Sequence, residues 1–484
     1  MAAAPPSGPP PTATIDTGQL SGVILGDARA FKAIPYAAPP VGPLRWRPPQ
    51  PAAPWSGVRE ASADGPACEQ AVFTGRTNGG GYAGPVSEDC LTLDVFAPLH
   101  ARKAPVMVWI FGGGNTAGAD SIPPNDGRFF ARDGVVLVAM NYRLGALGWF
   151  AHPALTKEAG AGAPLANYGL MDQIAALKWV KRNIAAFGGD PDNVTIFGES
   201  AGGDDVLTLM ATPSARGLFE KATVQSGGGW GKPVTLAQAE SDGAALATSL
   251  GLPADATAEQ LRALPVDKLV AAAGRFGPVV DGRLETETAE QAFARGHAAP
   301  APLIIGSNTW EASLQPPGSQ AAYVAAASDK LKAAYPEDAA DPNKLAQDMF
   351  TDAVMGAPAR WFAAHDPAGA WLYEFSYVRV ARLGKIPGAN HTSENPYVFD
   401  TQMIVPNYSD EIVDKDRAVA AFMHSCWVDF AKTGKPACAV ARRAWPKYDP
   451  KADERMIFDS PPAIVAHYRK AQLDAQEAAN PPPP

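Results

Sequence analysis

Five short apolar runs constrain the fold of this 484-residue chain more than any other feature of its sequence. They are PVMVWIF (105–111), VVLVAMN (135–141), NVTIFG (193–198), KATVQSG (221–227) and PLIIGSN (302–308). Because their apolar residues are nearly continuous rather than alternating, they predict strands of a sheet that is buried on both faces. Segment 169–187 has apolar residues at spacings of three and four, which predicts a helix that ends at Gly188. Alternating strands and helices predict an α/β fold with a doubly wound, mostly parallel central sheet.

The rest of the chain fits one domain built on that sheet. A second long helix is predicted over 411–432. Helix-rich stretches at 234–300 and 313–368 are interpreted as insertions over the C-terminal edge of the sheet, where such folds bind ligands. The Pro-rich segments 1–14 and 479–484 are expected to be flexible ends, so the predicted domain spans 15–478.

The charge balance argues against two classes of partner. With 41 Lys and Arg against 50 Asp and Glu, the net charge is −9, and no basic run stands out. Nucleic acid and acidic lipid surfaces are therefore poor candidates as partners. The longest apolar stretch, 134–150, is interrupted by Asn141 and Arg143 and is shorter than the roughly 18–20 residues of a membrane span.

Four cysteines fall into two local pairs, Cys68 with Cys90 and Cys426 with Cys438. Two disulfides in an exported protein and four buried thiols in a cytosolic enzyme are both compatible with this spacing, and we favour export. The first residues, MAAAPPSGPPPTAT, have no signal-peptide pattern but resemble what is left after a signal is removed. A secreted or periplasmic protein is expected. Neither a CxxC motif nor a His/Cys cluster is present, so neither a metal site nor a cofactor is expected.

The stretch VTIFGESAGGDD (194–205) carries a G-x-S-x-G motif between a predicted strand and a predicted helix. Such a turn is so tight that residues two before and two after the serine approach each other, which explains Gly198 and Gly202. It holds the serine in a strained conformation with its hydroxyl in the cleft. The motif therefore predicts that Ser200 is a nucleophile, against the alternative of a structural turn serine.

A second glycine-rich segment, WIFGGGNTAG (109–118), follows a predicted strand. Glycines leave backbone N–H groups free to face a substrate oxygen without a side chain in the way. Gly113, Gly114 and Ala201 are therefore the predicted donors of an oxyanion hole, against the alternative of a plain glycine turn.

Several further segments show a resemblance that covers about residues 15–475. They include FKAIPYAAPPVGPLRWRPPQP (31–51), SEDCLTLDVFAP (87–98), NYRLGALGWF (141–150), FGPVVDG (276–282), WVDFAKTGKP (427–436) and the whole run 167–203. The chain resembles the type-B carboxylesterase family of bacterial type, in the cholinesterase-like branch of the α/β-hydrolases. The resemblance implies an α/β-hydrolase fold with helical insertions over the active-site edge.

The resemblance also implies a Ser–Glu–His catalytic triad. In GSNTWEAS (306–313), Glu311 takes the position of the acid, although Trp310 and Ala312 stand where the family usually has Asp and Gly. In HTSENPYVF (391–399), His391 takes the position of the general base. Glu311 would then fix the tautomer of the imidazole and stabilise the imidazolium.

Other residues receive weaker expectations from the same resemblance. Glu199 is expected to line the active-site gorge and to tune the basicity of His391 electrostatically. Ser226 is expected to contact a residue of the triad without touching the substrate. Cys68–Cys90 matches an early disulfide loop of the family, whereas Cys426–Cys438 has no such support. Trp230 is a candidate for the acyl pocket or for the core.

Three departures from the family pattern concern specificity. Phe111 is expected to pack like the His or Tyr it replaces, and Asn115 to make the pocket mouth more open and polar. For Asp204 and Asp205 three roles stay open: a favourable contact with the helix dipole, a cationic group of the substrate, and a partner lost with the usual Asp at 310.

These observations predict hydrolysis of a small-molecule carboxylic ester through an acyl-enzyme, without a cofactor, by a monomer. The alternatives are a non-catalytic cholinesterase-like binding module and an acyltransferase or amidase that uses the same site. Because serine, acid, base and oxyanion glycines are all present, hydrolysis is preferred. The sequence does not identify the ester.

Overall fold

A computed structural model describes residues 9–72, 82–229, 233–405 and 411–482 of the chain. Within these residues the main sheet has eleven strands. In chain order they are β1 (Val23–Leu25), β2 (Ala28–Pro35), β3 (Thr92–Pro98), β4 (Ala104–Ile110), β5 (Val136–Met140), β6 (Gly189–Glu199), β7 (Lys221–Gln225), β8 (Leu303–Asn308), β9 (Ala370–Phe375), β10 (Glu454–Phe458) and β11 (Ala463–Ala466).

The strands lie side by side in the order β11-β10-β9-β8-β7-β6-β4-β5-β3-β2-β1. From β10 to β5 in this order, every neighbouring pair is parallel. The outer pairs are antiparallel: β11 with β10 at one edge, and β5 with β3, β3 with β2 and β2 with β1 at the other. The mostly parallel central sheet is therefore confirmed. The five predicted strands correspond to β4, β5, β6, β7 and β8, and all residues of β5, β7 and β8 are buried, as their continuous apolar runs require.

Helices cover both faces of the sheet and its C-terminal edge. The seven longest are α1 (Tyr168–Asn183), α2 (Ala201–Ala211), α3 (Leu236–Ser249), α4 (Pro342–Thr351), α5 (Ala357–His365), α6 (Asp414–Thr433) and α7 (Lys470–Ala479). The shorter α-helices are Arg128–Arg132, Gly145–Gly148, Pro153–Ala159, Ala258–Arg262, Val266–Val270, Ala289–Arg295, Gln320–Ala326, Asp329–Lys332 and Asn395–Val398. Single turns of 3-10 helix lie at Gly42–Leu44, Pro123–Asn125, Ile184–Phe187, Pro213–Ala215, Glu311–Leu314, Pro336–Asp338 and Val380–Arg382, and a π-helical turn at Asp352–Gly356.

Helix α1 and the long helix α6 match their predictions closely. The predicted segment 169–187 is an α-helix to Asn183 and a 3-10 turn to Phe187, after which Gly188 has a φ of 86°. This left-handed value explains why a glycine ends the helix. Helix α6 likewise ends at Gly434, whose φ is 73°. In the described part of the chain, no helix is long and apolar enough to cross a membrane.

The N-terminal boundary differs from the expected one. Strand Thr12–Ile15 pairs with Gly18–Ser21, which pairs in turn with Val58–Glu60. Residues 12–14 therefore belong to a sheet and not to a flexible end, because their backbone groups are satisfied by pairing. Two more pairs of short strands are Ala67–Cys68 with Val86–Ser87 and Ala439–Val440 with Arg443–Ala444.

Candidate active site

The turn between β6 and α2 has the geometry that its glycines require. Ser200 occupies this corner with a φ of 57°, a strained value for a residue with a side chain. A Cβ atom at Gly198 would lie 2.3 Å from the carbonyl oxygen of Gly202, and one at Gly202 would lie 2.1 Å from that of Ile110. Only glycine fits these two places, so the close approach expected around Ser200 is present.

The glycine-rich loop after β4 lies directly against this corner. A Cβ atom at Gly112 would lie 2.8 Å from Cβ of Ser200. The next two glycines have φ values of 97° (Gly113) and 65° (Gly114), which turn the loop sharply. Neither of their N–H groups has a hydrogen-bond partner among the described residues. Ala201 is the first residue of α2, where a backbone N–H has no partner within the helix.

Contacts at both ends and in the middle hold this loop in place. At its start, the hydroxyl of Tyr142 donates to the carbonyl of Phe111 at 2.6 Å, and the two rings stack with centroids 4.5 Å apart. At its end, the side-chain amide of Gln70 pairs with the backbone of Gly118 at 2.7 and 2.8 Å. Between these two ends, the side chain of Asn115 donates to the buried carboxylate of Asp205 on α2. Phe111 therefore packs on a neighbouring ring, as expected for an aromatic replacement.

The side chains of Glu311 and His391 are in direct contact. Glu311 lies just after β8 and is 0% exposed. Its Oε2 atom accepts a hydrogen bond from Nδ1 of His391 at 2.6 Å. Its Oε1 atom accepts from the hydroxyl of Ser226 at 2.5 Å and from the backbone N–H of Asn308 at 2.7 Å. The structure thus brings Ser226 against the acid, on the side away from the imidazole.

The segments that carry the acid and the base are joined to each other. The N–H of Trp310 donates to the carbonyl of Ala389 at 2.8 Å. The N–H of His391 donates to the hydroxyl of Ser313 at 3.0 Å. Ala312 is 5% exposed and its N–H donates to Thr351. The unusual residues around Glu311 are thus accommodated without displacing its carboxylate.

The other nitrogen of the imidazole faces Glu199 rather than the serine. Nε2 of His391 lies 3.1 Å from Oε1 of Glu199, the residue before Ser200. Nε2 has no hydrogen-bond partner among the described residues, so a hydrogen bond between Ser200 and His391 is not formed in this structure. In enzymes without a bound substrate such bonds are often long and tighten only later.

The electrostatics of this group are dominated by burial and by three carboxylates. Burial lowers the pKa of His391, but the negative charges of Glu199 and Glu311 and the hydrogen bond to Glu311 outweigh it and raise the pKa to about 10. Burial raises the pKa of Glu199 to about 8, against the attraction of His391. Burial also raises the pKa of Glu394 to about 7, and this side chain accepts from the amide of Asn308. Because His391 and Glu199 each shift the pKa of the other, their titrations are linked.

The expectation for Asn115 is wrong. Instead of opening the pocket mouth, its side chain is 3% exposed and donates from Nδ2 to Oδ1 of Asp205 at 3.3 Å. Oδ2 of Asp205 accepts from Nε2 of Gln173 on α1 at 2.6 Å. Burial raises the pKa of Asp205 to about 7, and these two hydrogen bonds oppose the shift. Asp204 lies in the first turn of α2, as expected for an acid near a helix N-terminus. Trp230 lies outside the described residues.

Both cysteine pairs are disulfide-bonded, and no free cysteine is found in the described residues. The first bridge, Cys68–Cys90, lies two residues from Gln70, which holds the end of the glycine-rich loop. The second, Cys426–Cys438, connects α6 to the segment after it. Within the described ranges, no group of three or more His, Cys, Asp or Glu side chains has the arrangement of a metal site.

Comparison with known proteins places this geometry in a family. The Carboxylesterase family pattern matches residues 9–476. The para-nitrobenzyl esterase of Bacillus subtilis (strain 168) is 36% identical, over 92% of this chain and 94% of its own length. The fumonisin B1 esterase of Sphingopyxis macrogoltabida is 34% identical, over 92% of this chain and 85% of its own length.

The fold comparison agrees. A solved carboxylesterase structure from Geobacillus stearothermophilus is 30% identical and matches with a TM-score of 0.82, covering 96% of this chain and 99% of its own. A solved PNB esterase structure is 34% identical and gives a TM-score of 0.81. The fold is that of the α/β-hydrolases. The chain belongs to the carboxylesterase family and is a carboxylesterase.

Proposed function

We propose that this enzyme hydrolyses small-molecule carboxylic esters through an acyl-enzyme formed on Ser200, with His391 as general base and Glu311 as the acid that orients it. One observation carries the proposal. Nδ1 of His391 is held by Glu311 at 2.6 Å, while Nε2 has no hydrogen-bond partner in the described ranges and lies next to the residue that precedes Ser200. An imidazole held at one nitrogen and free at the other is arranged to take up a proton.

The reaction follows from this arrangement. Nε2 of His391 accepts the proton of the Ser200 hydroxyl while its oxygen attacks the ester carbonyl carbon. The negative oxygen that forms is held by the N–H groups of Gly113, Gly114 and Ala201, for which the described part of the chain offers no competing acceptor. His391 then returns the proton to the departing alcohol. A water molecule, deprotonated by the same nitrogen, attacks the acyl group and releases the acid.

A Ser200→Ala variant tests this proposal. Turnover of p-nitrophenyl acetate should fall to the background of the buffer, and an organophosphate that adds one phosphoryl group per wild-type molecule should add none to the variant. Ser425→Ala, on the exposed side of α6, is the matched control and should keep full activity. Undiminished turnover by the Ser200→Ala variant would contradict the proposal, and so would labelling of another residue in the wild type.

We also propose that the protein is secreted or periplasmic and works as a monomer. Its two disulfides support an oxidising compartment, where such bonds persist. Cell fractionation of the native host followed by immunoblotting tests the compartment. Light scattering of the purified enzyme tests the monomeric state.

A further inference from the structure

Asp205 connects three elements around the active site. It lies on α2, five residues after Ser200, and is 0% exposed. One carboxylate oxygen accepts from the side-chain amide of Asn115 in the glycine-rich loop, and the other accepts from that of Gln173 on α1. The donors are 90 and 32 residues away from it in sequence. A fully buried carboxylate with an amide donor on each oxygen connects the elements that carry those amides.

The segment that Asp205 reaches is the turn that presents the oxyanion donors. The N–H of Thr116 donates to the carbonyl of Gly113 at 3.2 Å, which closes a four-residue turn. Its two central residues both have positive φ, 65° at Gly114 and 56° at Asn115, as in a type I′ turn. Glycine and asparagine are the residues that tolerate these values. The sequence Gly-Asn therefore favours this turn, and the asparagine side chain points into the protein.

The contacts at the two ends of the glycine-rich loop do not reach this turn. Tyr142 holds the backbone at Phe111, and Gln70 holds it at Gly118. Within the turn, the carbonyl of Asn115 accepts from the N–H of Gly145 at 2.7 Å, and its side chain donates to Asp205. The position of the Gly113 and Gly114 amides thus depends on contacts made by Asn115.

We propose that Asp205 is a positioning residue, which fixes the oxyanion-hole amides of Gly113 and Gly114 by holding the side chain of Asn115. This inference rests on the proposed function, because it assigns those amides to the oxyanion hole. A donor acts fully only when it lies at the right distance from the oxygen on which charge develops. Loosening the turn therefore lowers kcat and leaves KM nearly unchanged, since the amides hold the transition state more strongly than the ester.

The experiment compares Asp205→Ala with the isosteric Asp205→Asn. The alanine variant should lower kcat about 10–100-fold, the range expected for a small displacement of catalytic groups. The asparagine variant should stay within about threefold of the wild type, since a side chain of the same shape can still bond both amides. Its Oδ1 accepts from Asn115, while its Nδ2 donates to the Oε1 atom of Gln173, which has no partner among the described residues. A role of the negative charge itself, on a helix dipole or a cationic substrate, would make both variants equally poor.

A double-mutant cycle with Asn115→Gly tests whether the effect of Asp205 passes through Asn115, because glycine removes the side chain and still tolerates the φ of 56°. Asn115→Gly alone should reproduce the loss of Asp205→Ala, and the double variant should be no worse than either single one. A trifluoromethyl ketone, whose serine adduct carries an oxygen anion, should bind each impaired variant more weakly by the factor that kcat/KM loses. Leu209→Ala, a buried residue one turn further along α2, is the control and should lower the melting temperature without lowering kcat.

Three results would overturn the inference: multiplicative effects of Asp205→Ala and Asn115→Gly, a loss confined to KM, or an Asp205→Asn variant as poor as Asp205→Ala. The activity of Ser200→Ala distinguishes a failure of the positioning role from a failure of the proposed function. If that variant is inactive while Asp205→Ala keeps the wild-type kcat, only the positioning role is wrong.

Discussion

Nε2 of His391 lies 3.1 Å from a carboxylate oxygen of Glu199, while Nδ1 of the same ring is bonded to Glu311 at 2.6 Å. One imidazole thus lies between two buried acids. Glu311 also accepts hydrogen bonds from Ser226 and Asn308, and Glu199 accepts one from Asn395. The negative charge of Glu199 raises the pKa of His391, so the basicity of the imidazole depends on it.

This dependence predicts the pH profile of a Glu199→Gln variant. The charge of Glu199 raises the pKa of His391, and turnover requires the neutral imidazole. Removing that charge lowers the pKa, so the neutral form exists at lower pH and the acidic limb of the kcat/KM profile should move to lower pH. Initial rates with p-nitrophenyl acetate across the stable pH range check this. An acidic limb that stays in place or moves to higher pH would show that Glu199 does not control the base.

Replacing Glu311 by Gln should have a larger effect. The Gln side chain presents an N–H group to Nδ1, which favours the tautomer with the proton on Nε2, and that nitrogen can then no longer take the Ser200 proton. A fall in kcat of about 10²–10⁴-fold is expected, with a small change in KM. Ser226→Ala removes only one of the bonds that hold Glu311, and its loss should be below about tenfold. Equal losses for the two variants would contradict this order.

The pair Arg143–Asp172 should matter for stability. The guanidinium donates to both oxygens of the carboxylate at 2.7 and 2.8 Å, and both side chains are buried. Asp172→Ala leaves an unpaired buried charge and should lower the free energy of unfolding by about 3–5 kcal/mol. The control is Asp16→Ala, whose partner Arg182 is exposed, with an expected effect within about 1 kcal/mol. Urea unfolding followed by tryptophan fluorescence measures both, and similar losses would disprove the distinction.

Removing either disulfide should also destabilise the fold. The bridges close loops of 22 and 12 residues, and loop entropy predicts a loss of about 3 kcal/mol for each. Cys68→Ala/Cys90→Ala should lose slightly more than Cys426→Ala/Cys438→Ala because its loop is longer. Urea midpoints of the two double variants check the order, and a reversed order would mean that native contacts rather than chain entropy decide it.

Much of the fold and of the candidate site could be predicted because the signals are local. Strands β4 to β8 carry continuous apolar runs, and the close contacts of Gly198 with Gly202 and of Gly113 with Ala117 lie within a few residues. Glu311 and His391 came from short family patterns, and the structure places their side chains in contact.

What the sequence missed depends on contacts between distant residues. Asn115 and Asp205 are each unusual for the family, but no local pattern indicates that they bond to each other across 90 positions. The resemblance predicts that Glu199 tunes His391, but the contact of Nε2 with Glu199 instead of Ser200 depends on the orientation of one ring and has no local signal. The antiparallel edge strands β1 and β11 are apolar but only 3 and 4 residues long, and β1 has no fully buried residue.

The backbone bond from Trp310 to Ala389 has a consequence for how such an enzyme can diversify. This hydrogen bond joins the segments of the acid and the base next to the two residues themselves. Their spacing therefore does not depend on the long, mostly helical stretch of chain between them. Apart from strand β9 and from Thr351, which contacts Ala312, that stretch can change in length and composition without moving the two residues. Chemistry and selectivity can therefore evolve on separate parts of the chain.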